Sequence, residues 1–532
     1  MSASRRYAAP TSTIAGPSHY IISRVKVGAA ALRAGENYRG LLSTHLQERQ
    51  SVVGTTKVAL RRVMRKNEPI SDIVVHSKLN NYLCNSGYSN RCCNNMKFYD
   101  REIETETLRR IETTSKEFAQ MTVITGRRRI GKTTLIKRAY ANTEMIYFFV
   151  ARKSEALLCQ ELSDTIRDVL GEDLGDFSSM ARLFSALIQI AKRRHFTLVF
   201  DEFQNFKYIN EAFFSEMQNI WDSNKNEARI NLIVCGSLYS MMSRIFDDRK
   251  EPLYGRATSR IRLREFPLAT LREIMRDNNP LYTPDDLLAM YMITGGVAKY
   301  VEQLLMLKAF TKEKIIEAVL SFGSYFIDEG KELLSDEFGK DYGNYFSILS
   351  AIAGGFNERG EIKSYTGVEA GGYLDKLEKT YDLVYRYRPY LASENSRNIR
   401  YGIKDNFLNF WFRFIYKYRS AVEIGNLDYV RKKLDADYST FSGWILERYF
   451  RQMYRETGLY NIVTNYWEKN GNNEIDLIAV NEADREIVIS EVKHNPRRID
   501  LHGLEEKSKN IISKRKGWHI GYAALSLEDM ET

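Results

Sequence analysis

Residues 118–140 read FAQMTVITGRRRIGKTTLIKRAY: an apolar run, a glycine-bounded basic loop, and a stretch of good helix formers. The run ending at Thr125 has the length and β-branched content of a buried strand. Gly126, Arg127, Arg128, Arg129, Ile130, Gly131, Lys132 and Thr133 then fill G-x-x-x-x-G-K-[ST] without a mismatch, and Thr134 continues into the helix. Glycines at both ends let backbone N–H groups curl around a phosphate, and the new helix directs its positive end there. Lys132 is expected to bridge β- and γ-phosphates and the Thr133 hydroxyl to ligate Mg²⁺. A strand before the motif and a helix after it raise the match well above a chance occurrence.

A second motif lies about 70 residues further on. Leu198-Val199-Phe200-Asp201-Glu202 is an apolar strand ending in two acids. Asp201 is expected to hold Mg²⁺ through its water shell, and Glu202 to polarise the attacking water as general base. Alone, such a pair is an ordinary loop start. Coupled to the loop at 126–133, it points to hydrolysis rather than binding only. Ser237, after the strand INLIVCG (230–236), is placed to touch the γ-phosphate or the water. Arg256, in PLYGR (252–256), is the candidate for positive charge at the transition state, from the same chain or a neighbouring subunit. A strand cap and a surface arginine are the plain alternatives for these two.

Outward from these motifs, apolar runs alternate with helical stretches: MIYFFVA (145–151), a helical region to about residue 192, FTLVFDEF (196–203) and INLIVCGS (230–237). The alternation predicts an α/β fold over 96–265, a parallel sheet of the P-loop NTPase kind covered on both faces. Residues 266–340 read as a helical lid interrupted by TGGVAKY (294–300). Over 341–400, YFSILSAIAGG, GEIKSYTGV and GYLDKLEKTYDLVYRYRP predict three short helices and a strand pair, the winged-helix pattern. A dense aromatic stretch, YGIKDNFLNFWFRFIYKYR (401–419), is assigned to packing rather than base stacking. The block 401–532 continues as helix, strands, helix and strand, a small α/β domain.

Within that block, Glu474-Ile475-Asp476 precedes Glu491-Val492-Lys493 by about 15 residues, which resembles the PD-(D/E)XK nuclease pattern. In a strand, Glu491 and Lys493 share a face. With Asp476 on the paired strand, two carboxylates and a backbone carbonyl could hold Mg²⁺ while Lys493 orients or deprotonates water. Glu447, on the helix WILERYF (444–450), is placed like the helical acid that many such nucleases add. Acids beside lysines are also the usual form of a surface ion pair. The expected fold is nuclease-like; cleavage and simple binding both stay open.

Together, GRRRIGKTTLI, LVFDEFQ, VCGSLYSMM, PLYGR and TGGVAKY resemble the prokaryotic, archaeal-type P-loop ATPase family of the AAA+/STAND group, from about Met96 to the end. The resemblance implies ATP as the nucleotide, a winged helix, and a C-terminal domain carrying Y-x-I-x-D-x-F-L-x-F-W-F-R-F, here Tyr401 to Phe414. Two readings of the whole follow. One is an ATPase whose nucleotide state controls the winged helix and a nuclease-like domain acting on DNA. The other is a STAND-like switch, in which ATP governs homo-oligomeric assembly and the C-terminal domain only binds. MKFYDRE (96–102) resembles the usual start of the family, so residues 1–95 are expected to be a disordered or non-native extension.

Charge does not decide between the readings. The 532 residues carry a net +10, but residues 1–95 hold 14 Lys and Arg against 4 Asp and Glu, leaving 64 of each sign in the rest. Bulk attraction to a polyanion therefore rests on the opening segment alone. Five cysteines without a C-x-x-C pair exclude a disulfide framework. No apolar run approaches the roughly 18 residues that cross a bilayer, and the start lacks a secretory signal's apolar core. A cytoplasmic protein without membrane contact is the expectation.

Overall fold

The computed structural model describes residues 97–338, 342–468 and 473–531. Its central feature is a parallel sheet of β1 (Gln120–Thr125), β2 (Met145–Phe149), β3 (Phe196–Asp201), β4 (Ile230–Gly236) and β5 (Ser259–Arg262), in the order β2-β3-β4-β1-β5. Alternation along each strand divides its apolar side chains between two cores. Leu198, Phe200, Leu232 and Val234 face α3 (Glu155–Leu170), α4 (Met180–Ala191) and α5 (Phe213–Asn224). Val199, Ile233 and Cys235 face the other way, toward α1 (Glu102–Thr114) and α2 (Lys132–Ala139). Each such buried side chain contributes about 1.5–3 kcal/mol. This is the doubly covered α/β sheet expected from the sequence. β5 is not expected from it, because only Ile261 of its four residues is buried.

Register brings the carboxyl ends of the central strands level. Thr125 pairs with Gly236, and Phe149 with Asp201. The loops leaving β1, β3 and β4 therefore emerge side by side. α6 (Tyr239–Asp247) follows β4.

The lid comprises α7 (Leu268–Asn278), α8 (Pro284–Thr294), α9 (Ala298–Met306), α10 (Lys312–Val319) and α11 (Tyr325–Phe338). α8 opens on proline and a reciprocal cap: Asp286 N–H donates to the Thr283 hydroxyl and Thr283 N–H to the Asp286 carboxylate. Such a cap contributes about 1 kcal/mol. Next come α12 (Tyr342–Ala353), α13 (Arg359–Thr366) and α14 (Ala370–Lys379), then the antiparallel pair β6 (Val384–Tyr387) and β7 (Arg400–Ile403).

The aromatic stretch forms α15 (Asn406–Phe410) and runs on as a wider, π-type turn through Tyr416. Phe407, Phe410, Trp411, Phe412 and Phe414 are buried. The Trp411 ring lies against Gly330 of α11, and its indole N–H donates to the Ile327 carbonyl at 2.8 Å. These rings weld the C-terminal segment to the lid. α16 (Leu427–Glu456) then spans 30 residues. β8 (Ile462–Trp467), β9 (Glu474–Asn481) and β10 (Glu486–Val492) pair antiparallel, and α17 (Leu501–Ile512) returns the chain so that β11 (His519–Leu525) lies parallel to β10. One apolar core runs from Leu268 through Trp411 to Ile445 and Met530. The boundaries drawn at 340 and 400 thus fall inside a continuous core, within a compact unit of Tyr99–Thr532. The expectation for residues 1–95 lies outside the described residues. No described helix is long and apolar enough to cross a membrane.

Candidate nucleotide site

The loop at the end of β1 needs its glycines. Gly126 has φ +150°, and a Cβ there would sit 2.8 Å from the Leu263 carbonyl oxygen. Gly131, at φ +97°, caps α2. Either substitution strains a backbone that only glycine adopts freely. Lys132 is 7% exposed and donates from Nζ to the carbonyls of Gly126 (2.7 Å) and Arg127 (3.1 Å). Burial lowers its pKa, against the opposing pull of Cys235, Glu202 and Asp201.

Asp201 is held by donors from four directions. The Thr133 hydroxyl donates to Oδ2 at 3.2 Å, and the Tyr147 hydroxyl donates to the same oxygen. Cys235 Sγ (3.1 Å) and Glu202 N–H (2.9 Å) donate to Oδ1. Burial, then Asp201, raises the pKa of both Tyr147 and Cys235, keeping them protonated as donors. The Thr133–Asp201 pair is a hard-oxygen donor set that fits a Mg²⁺ carried in with phosphate oxygens and water.

Glu202 adopts φ +56°, a left-handed conformation costing on the order of 1 kcal/mol in a non-glycine residue. Ser237 Oγ donates to its Oε2 at 3.0 Å, and Gln204 donates to the same oxygen. Arg128 Nε in turn donates to Ser237 Oγ at 3.4 Å. Lys132, Thr133, Asp201, Glu202 and Ser237 therefore converge at the carboxyl end of the sheet. Arg256 does not join them. It precedes β5, whose Ser259 pairs with Thr122, and so lies at the amino end of the sheet, bonded to Asp222 at 3.0 and 3.2 Å. The expectation that Arg256 acts on the same chain's phosphates is corrected by strand polarity.

The other loop arginines engage neighbours outside the loop. Arg127 pairs with Asp405, donates to the Tyr300 hydroxyl at 3.2 Å, and is half-buried. Burial opposes its charge, but Asp405 and Tyr300 more than offset this and raise its pKa. Arg129 binds both oxygens of the buried Glu329 at 3.2 and 3.1 Å. Tyr300 also donates to Glu329 at 3.0 Å, and Lys299 N–H to the Arg129 carbonyl at 3.1 Å. Asp405 simultaneously caps α15, accepting from Leu408 N–H at 3.2 Å. Tyr147, Gln204, Tyr300, Glu329 and Asp405 were not foreseeable as site residues, although Asp405 sits in the aromatic motif.

The C-terminal residues Glu447, Asp476, Glu491 and Lys493 also come together. Lys493 Nζ lies 3.0 Å from Asp476 Oδ2 and 3.4 Å from Glu491 Oε1. Val492 N–H donates to Asp476 Oδ2 at 2.9 Å. Arg451 bridges Glu447 (3.2 Å) and the Asp476 carbonyl (2.9 Å). Burial, then Asp476, pushes the Glu447 pKa up to about 7, with Arg451 opposing. No group of three His, Cys, Asp or Glu among the described residues is arranged to hold a metal. As folded, the cluster is an ion-pair network centred on Lys493.

A glycine loop, its lysine and an acid pair gathered at one end of this parallel sheet define a P-loop ATPase domain. Residues 98–304 match the family described as "ATPase domain predominantly from Archaea", and residues 411–512 match one described as "Archaea bacterial proteins of unknown function". The chain is 30% identical over 416 residues to the Methanocaldococcus jannaschii protein MJECL04, covering 74% of this chain and 87% of that one, and it belongs to the same family. Among solved structures, a Walker-type ATPase of Pyrococcus abyssi is similar at 19% identity, covering 59% of this chain and 96% of that one, with a TM-score of 0.44. The ORC2 protein of Aeropyrum pernix is similar at 16% identity, with 61% and 96% covered and a TM-score of 0.42. These likenesses are of general architecture.

Proposed function

We propose that the chain is a Mg²⁺-dependent ATPase whose nucleotide state is relayed to its lid and C-terminal half. The observation that carries this reading is the division of the loop arginines: Arg127 bonds to Asp405 and Arg129 to Glu329. Phosphate entering the loop competes with the carbonyls now holding Lys132 and shifts backbone that both arginines share. Thr133 and Asp201 would hold Mg²⁺, which supplies charge neutralisation at the phosphates. Glu202 serves as general base, with Ser237 and Gln204 setting its carboxylate until substrate arrives. Lys132→Ala is expected to abolish ATP binding, and Glu202→Gln to retain binding while slowing turnover by about 10²–10⁴-fold. Turnover by Glu202→Gln at the wild-type rate would refute the assignment.

Three short helices with a strand pair over 342–403 support a winged-helix module, and the mixed sheet β8–β11 with α16 supports a nuclease-like fold. For that last domain the network around Lys493 favours binding over cutting, the switch-like reading, with DNA the candidate partner and nucleotide-dependent self-association its companion. Mg²⁺-dependent nicking of DNA, lost in Lys493→Ala, would overturn it.

A further inference from the structure

A cavity of about 900 Å³ opens between the phosphate loop, the β6 strand, and the α16–β8 face of the C-terminal domain. Its walls carry nine Arg and Lys side chains against five Asp and Glu. Several are already matched. Asp405 pairs with Arg127, and Asp382 serves both Arg262 and Lys404. The excess lies on α16, where Arg448, Arg451 and Arg455 follow helical spacing along one face.

These three guanidiniums share a single carboxylate. Arg448 donates to the Ile403 carbonyl at 2.6 Å and Arg455 to the Val463 carbonyl at 3.0 Å. Only Arg451 has an acidic partner, Glu447. Each guanidinium has five N–H donors, so for Arg448 and Arg455 the neutral carbonyls leave most of that capacity unused, and the Arg448 charge is answered by the rings of Tyr385 and Trp444. Beside the arginines stand the rings of Tyr385 and Tyr387, 5.3 Å apart between centroids, with the Arg448 guanidinium 5.9 Å from the centre of the Tyr385 ring. A cationic groove flanked by aromatic rings is the combination that holds single-stranded nucleic acid, with phosphates on the arginines and bases on the rings.

We propose that this cavity binds a short stretch of single-stranded nucleic acid. Lys132, Thr133, Asp201 and Glu202 do not line it, so the strand site is distinct from the nucleotide site although the two share the wall at Gly126–Arg128 and Ser237. The proposal gives the partner of the C-terminal half in the reading above a location, and it does not require cleavage.

The test uses the full chain and a fluorescein-labelled oligothymidylate of about 12 nucleotides, followed by anisotropy across a salt series. Wild type is expected to bind, with affinity falling steeply as salt rises. The Arg448→Gln/Arg455→Gln variant is expected to lose at least tenfold in strand affinity while ATP binding stays within about twofold. Lys132→Ala is expected to lose ATP binding and keep the strand, which separates failure of the ATPase reading from failure of this one. Pyrophosphate and thymidine monophosphate are run as competitors, to distinguish a strand from a small phosphate. Equal strand affinity in wild type and the double arginine variant overturns the proposal. So does a site that responds to pyrophosphate alone.

Discussion

Replacing Asp405 with asparagine removes one charge from the contact between the phosphate loop and the C-terminal half. The side chain of Asp405 is 8% exposed and that of Arg127 is 20% exposed. Breaking a buried pair by removing one partner costs about 3–5 kcal/mol. Asparagine keeps one acceptor oxygen, Arg127 keeps its bond to Tyr300 at 3.2 Å, and its residual exposure admits water. The expected loss is therefore about 2 kcal/mol, or about 30-fold in the equilibrium for opening this contact. Hydrogen exchange reads that opening directly, because amides released by a local opening exchange in proportion to its population. In Asp405→Asn, amides of Gly126–Thr133 and Asn406–Phe410 should exchange about 30-fold faster without nucleotide, while the strands β3 and β4 are unchanged. Asp173→Asn, which alters an exposed carboxylate, should move neither segment. Exchange within threefold of wild type in both segments would show that the pair does not close the loop, and the relay would lose its physical basis.

Two further outcomes test other parts of the reading. Arg256→Ala should leave ATP turnover of dilute protein within about twofold and cost under about 1 kcal/mol of stability, since its pair with Asp222 is partly solvated; a tenfold loss under those conditions would return Arg256 to the chemistry of its own chain. Glu447, with a folded pKa of about 7 against an ordinary 4.5, retains a proton that the unfolded chain releases. Its stabilising contribution is full below pH 4.5 and is lost as pH rises toward 7, by on the order of 1–3 kcal/mol. Thermal melts over that range should flatten in Glu447→Gln, and an unchanged slope would contradict the burial argument.

What was legible in the sequence was whatever is encoded over short distances. The glycine loop, its lysine and the acid pair stand beside the strands that position them, so local pattern sufficed to place Lys132, Thr133, Asp201 and Glu202 together. Ser237 followed because it comes directly after β4. Arg256 failed for a related reason: β5 is too short and too polar to be read as a strand, and without it the polarity that puts Arg256 at the far end is invisible. Tyr147 and Cys235 act through register, which no single strand reveals. The aromatic stretch was read correctly as packing, yet nothing local says that Trp411 packs on Gly330. At the C-terminus, the spacing of Asp476, Glu491 and Lys493 located the cluster. Whether such a trio pairs internally or opens toward a metal depends on side-chain directions, which spacing leaves undetermined.

The motif G-x-x-x-x-G-K-[ST] leaves four positions free because phosphate is gripped by their backbone. In this chain two of the four are committed elsewhere, Arg129 to a residue 200 positions later and Arg127 to one 278 positions later. Relatives that change the charge at 405 should therefore change it at 127 as well, although neither alteration touches the nucleotide. The same commitment bears on modular exchange. Grafting this ATPase core onto a foreign C-terminal half would leave the half-buried Arg127 guanidinium without its carboxylate. The two halves are expected to be inherited, and engineered, as one unit.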